Sequence, residues 1–91
     1  MLEYLAERYE PGATRERVEA DAAKLAAAAD RLRADGHLIE FLGSTFMPTD
    51  EGVFSRFASV SEELVALAHE RAAVPFERIV EARPLEIEKG V

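Results

Sequence analysis

Apolar and polar positions change rhythm several times along this chain, and each rhythm predicts an element. From Leu2 to Tyr9 they nearly alternate, the period of a strand with one face turned inward, and the run stops at the turn pair Pro11-Gly12. From Thr14 to Asp35 the residues Val18, Ala22, Leu25, Ala29 and Leu32 recur at spacings of four and three, which puts one stripe on one face of a helix. Thr14 suits its N-cap, Glu16 the positive end of its dipole, and Gly36 a left-handed close. Arg17 with Asp21 and Arg31 with Asp35 are spaced to pair along its solvated side. His37 to Met47 reads as a second strand, Pro48 to Gly52 as a loop, and Val53 to Ala58 as a third strand completing a hairpin. Ser59 to Glu62 has capping-box spacing, and Val60, Leu64, Leu67 and Ala68 form the stripe of a second helix reaching about Ala73. A fourth extended segment runs from about Glu77 to Glu88, and its Pro84 predicts an edge position.

The strands carry apolar doublets: Phe41-Leu42, Val53-Phe54, Phe57-Ala58 and Ile79-Val80. Successive strand residues point to opposite sides, so both faces of the sheet are apolar and both need a cover. Two helices can blanket one of them. The other is expected to meet a second copy of the chain or to enclose a small molecule. The element order, β-α-β-β-α-β, is the split pattern of ferredoxin-like α+β sandwiches, whose sheet puts strands one and three in the middle and strands two and four outside. The expectation is one such domain over residues 1–91, assembled as a homodimer resembling a dimeric α/β barrel.

Composition narrows the function classes. A net charge of −7, from 18 acidic and 11 basic residues, argues against nucleic acid and anionic membrane surfaces as partners, since both are held by clustered cations. The absence of cysteine excludes disulfides, thiolate nucleophiles and Cys-ligated metal. The opening MLEYLAERYE has no apolar core of the signal-peptide kind, so a cytoplasmic location is expected. There is no glycine-rich phosphate loop and no histidine pair one helical turn apart, so no cofactor is expected.

Three stretches carry a family resemblance: Tyr4-Leu5-Ala6-Glu7-Arg8 with Pro11-Gly12; Phe41 to Pro48 with Asp50-Glu51; and His69 to Ala82. Together they resemble small bacterial proteins of largely unknown function, one branch of which binds nickel, has a ferredoxin-like fold and forms a dimer. The resemblance implies fold and dimer, and it implies metal binding through the helix-two histidine, His69, and the strand-one acid, Glu7. Where metal-associated members carry a histidine in strand two and a cysteine in strand three, this chain has Gly43 and, nearby, Ser55.

Of the side chains able to do chemistry, His69 beside the second helical stripe is the natural proton carrier at neutral pH. Its competing role is structural, and the same holds for His37, next to the helix-closing Gly36, where the negative helix end favours imidazolium. Glu7 and Glu81 fall on strands that pair in this fold. On one face beside Leu5 and Ile79 they would raise each other's pKa; alternatively they pair with arginines such as Arg8, Arg56, Arg78 or Arg83. Arg56 interrupts an apolar strand, and burial there would require a carboxylate or an anionic ligand. Ser44, Thr45 and Ser55 lack any nucleophile elbow or companion base. Phe41, Phe46, Phe54 and Phe57, with Tyr4 and Tyr9, supply a core or a pocket wall. The leading expectation is a homodimer that binds a small apolar ligand, with Glu7, Phe41 and Phe57 as ligand contacts. The alternatives are a cofactor-independent isomerase or cyclase using His69, Glu81 and Arg56, and a nickel-binding protein.

Overall fold

Why the chain makes these elements follows from where each backbone hydrogen bond goes. The structure, a computed structural model, describes residues 1–87. In chain order it contains β1 (Leu2–Tyr9), α1 (Arg15–Ala34), β2 (Ile39–Met47), β3 (Gly52–Ser59), α2 (Glu62–Ala72) and β4 (Arg78–Ala82). Every neighbouring pair in the four-stranded sheet is antiparallel, in the order β2-β3-β1-β4. This small α+β arrangement is consistent with the ferredoxin-like expectation: strands one and three are central, and both outer positions are filled as the sequence pattern required. Among the described residues no helix is long and apolar enough to cross a membrane.

Helix α1 begins where Thr14 Oγ1 accepts from the Arg17 amide at 3.2 Å. It ends in a Schellman motif: the Gly36 amide donates to the Arg33 carbonyl and the His37 amide to the Leu32 carbonyl, both at 2.9 Å, with Gly36 at φ 95. Its stripe packs Val18, Leu25, Ala28, Ala29 and Leu32 inward. The expected pairs along its solvated side are not made. Arg17 reaches Glu10 and Asp21 is taken by Arg8, because β1 brings better-placed partners than the helix itself.

Helix α2 starts two residues later than a Ser59 cap would place it. Ser59 still pairs with Leu2 and Ile39 as the last residue of β3, so the chain becomes free to turn only at Ser61, whose hydroxyl accepts from the Leu64 amide at 3.2 Å. Val60 consequently leaves the predicted stripe and is 54% exposed. At the other end α2 closes on Ala73 in the left-handed conformation (φ 57, ψ 38), without a glycine. β4 stops at Ala82. Pro84 therefore lies past the edge strand and not within it, and the predicted extension to Glu88 runs beyond the described residues.

Between the helices and the sheet lies the core, formed by Tyr4, Ala6, Leu25, Ala28, Ala29, Leu32, Ile39, Phe57, Leu64, Val65, Ala68 and Val74, with Phe41 and Ile79 packed at its margin. The register then sorts the other strand residues onto the uncovered face: Glu3, Leu5, Glu7 and Tyr9 of β1, Phe54, Arg56 and Ala58 of β3, Thr45 and Met47 of β2, and Arg78 and Val80 of β4. A bulge at Leu42-Gly43, opposite Arg56, preserves this sorting along β2, and Gly43 takes a φ of 123 there.

Candidate functional site

Three places in the molecule combine ionisable groups with apolar surface. The first is the uncovered sheet face. Leu5, Met47, Phe54, Ala58 and Val80 are half-buried on it even in the single chain. At its end near the β2–β3 turn a cavity of about 310 Å³ opens among Glu7, Tyr9, Met47, Gly52, Phe54 and Glu77. Two of its carboxylates are engaged: Glu7 Oε1 accepts from Arg78 Nε at 3.0 Å, and Glu77 Oε2 accepts from the Tyr9 amide at 2.9 Å. Arg56 shares the face, one register step from Glu7. It is exposed and not buried, and its guanidinium donates to the Leu42 carbonyl of the bulge at 3.3 Å, so it needs no carboxylate partner.

The second place is on the helix side. Phe41, Phe57, His69 and Phe76 form a chain of edge-to-face rings with centroids 5.3, 5.5 and 5.2 Å apart. His69 is 1% exposed. Its Nδ1 lies 3.0 Å from the Val74 carbonyl, and since a carbonyl only accepts, Nδ1 carries the proton. Nε2 is buried and has no partner among the described residues. Burial pushes the imidazole's pKa below its ordinary value, the Val74 hydrogen bond partly opposes this, and the positive charge of Arg8 adds to the lowering. The ring is therefore neutral at physiological pH, with an unshared electron pair on Nε2. Beside it lies an open cleft of about 480 Å³.

The third is Arg8, which the sequence reading considered only as a partner for a glutamate. It is 6% exposed, with Nε 3.0 Å from Glu10 Oε2 and Nη2 3.2 Å from Asp21 Oδ2. These bonds clamp the end of β1 to the start of α1. The signal was legible in β1, because Arg8 has the same parity as the inward-facing Tyr4 and Ala6.

The expected residue sets are separated. Glu7 and Glu81 lie on opposite faces, for Glu81 is level with the inward-facing Tyr4 while Glu7 is level with Phe54 and Arg78. Each has an arginine instead of the other: Arg78 for Glu7 and Arg83 for Glu81. The set His69, Glu81 and Arg56 does not converge, with His69 in the core, Glu81 exposed at the β4 edge and Arg56 on the uncovered face. Phe57 is fully enclosed and the partly buried Phe41 packs against it on the helix side of the sheet, the face opposite Glu7. His69 and Glu7, the ligand pair implied by the resemblance, are on opposite sides of the sheet. Among the described residues no group of three or more His, Cys, Asp or Glu is placed to hold a metal ion.

No protein-family model matches this sequence, and no curated protein matches it. Among solved structures the chain is similar to SCO4226 from Streptomyces coelicolor A3(2), known from a crystal structure. The TM-score is 0.70 at 23% sequence identity, over 93% of this chain and 99% of that one. That likeness supports the fold and nothing finer.

Proposed function

We propose that the protein works as a homodimer whose two uncovered sheet faces close on a small, largely apolar ligand. The observation that carries this reading is the apolar face itself: Leu5, Met47, Phe54, Ala58 and Val80 form the side of the sheet that neither helix covers. Leu85 and Ile87, beyond β4, are 88% and 85% exposed, which suits a segment that packs on a neighbouring copy. Glu7 and Arg56 supply opposite charges within this apolar surface, and the cavity beside Phe54 and Met47 is the start of a pocket that a facing sheet would finish. Binding is favoured over catalysis because the three proposed catalytic side chains do not meet.

Native mass spectrometry of the untagged protein tests this. A dimer retaining an organic mass is the expected result; a bare monomer at micromolar concentration overturns it.

A further inference from the structure

A second cleft opens on the helix side of the sheet, away from the uncovered face. We propose that the cleft at the C-terminal end of α2 binds a small neutral molecule with an apolar body and one O–H or N–H donor, which His69 Nε2 accepts. His69 Nε2 is the buried side-chain polar atom left without a partner among the described residues, and natural cores rarely leave one so. The Val74 carbonyl holds the proton on Nδ1, so the nitrogen left over is an acceptor and can be satisfied only by a donor.

The surroundings select the rest of the ligand. Ala66, Val74, Pro75 and Phe76 wall the cleft with hydrocarbon beside the exposed carboxylate of Glu70, a lining that disfavours an anion and rewards an aromatic or aliphatic body. Phe76 stands edge-to-face against the imidazole, is 36% exposed and sits on the connection between α2 and β4, outside regular structure. Nε2 itself is enclosed, so the ligand's hydroxyl reaches it only as the ligand's ring displaces Phe76 from beside the imidazole. The connection leaves α2 through the left-handed Ala73, a conformation that costs energy in a residue with a Cβ.

The test compares phenol with toluene, its near-isostere lacking the donor, by long-range ¹H–¹⁵N spectra of the His69 ring in the ¹⁵N-labelled protein. Phenol should move the Nε2 resonance and bind on the order of ten-fold more tightly than toluene, the scale of one hydrogen bond to a buried acceptor. In His69→Phe the preference should vanish. If that variant does not fold, the wild-type comparison decides alone. Equal binding of the two probes, no shift at His69, or spectra showing the proton on Nε2 would each overturn the proposal. A response confined to Leu5, Met47 and Phe54 would also overturn it, while leaving the open-face reading intact.

Discussion

His69 and Arg8 show how much one side chain's environment decides. An imidazole on a helix is by itself a neutral-pH proton carrier, but this one is enclosed by Phe57 and Phe76 and shares the core side with a buried guanidinium. Its folded pKa therefore lies below the ordinary value of 6.5. The unfolded chain takes up the proton first as pH falls, so unfolding is favoured below that value and stability is fully present above it. We predict that stability measured by urea unfolding declines as pH falls below the ordinary imidazole value of 6.5, with a slope of up to about 1.4 kcal/mol per pH unit from this group. His69→Gln should flatten that decline. Parallel pH curves for the two proteins would mean that the imidazole is charged in the fold. Arg8 is the complementary case: a charge kept buried because Glu10 and Asp21 surround it, and one that brings two elements together in doing so.

In the elements, the same chemistry appears as boundaries and irregularities. β3 outlasts its expected end because pairing on both sides holds Ser59, and α2 must wait for Ser61. β2 keeps its inward and outward residues sorted only by spending one extra residue at the bulge, where Gly43 adopts φ 123. A Cβ there would meet no atom within 4 Å, so the restriction is conformational and not steric crowding. Gly43→Ala is expected to cost about 1–2 kcal/mol in chemical denaturation. An unchanged midpoint would show that the bulge rearranges freely.

For the assembled protein, the asymmetry of the sheet sets the expectation. One side is sealed by α1 and α2, and the other presents Leu5, Met47, Phe54 and Val80 among Glu3, Glu7, Arg56 and Arg78. Two copies each carrying −7 repel one another, so association must come from apolar burial and should strengthen as salt screens the repulsion. Phe54→Arg, at the cavity end of that face, should give a monomer in sedimentation velocity with an unaltered far-UV spectrum. A variant that remains dimeric would place the contact at the strand edges.

Periodicity was enough for the elements because it reports which side chains seek the same side of one helix or strand. β1 runs from Leu2 to Tyr9 as the alternation has it, α1 lies between the Thr14 cap and Gly36, and β4 takes an outer position although Pro84 falls beyond its end. The doublets likewise foretold a sheet with two apolar faces. Which side each doublet member takes was out of reach, because a shift of one residue exchanges the faces and only pairing with neighbouring strands fixes the register. That register parted Glu7 from Glu81 and enclosed Phe57, while α2 packing took His69 into the core. The cleft beside His69 lies against the connection from α2 to β4, where the Val74 carbonyl meets Nδ1. Local patterning cannot reveal such a site, since backbone carbonyls are the same at every position and only the folded chain decides which side chain each one meets.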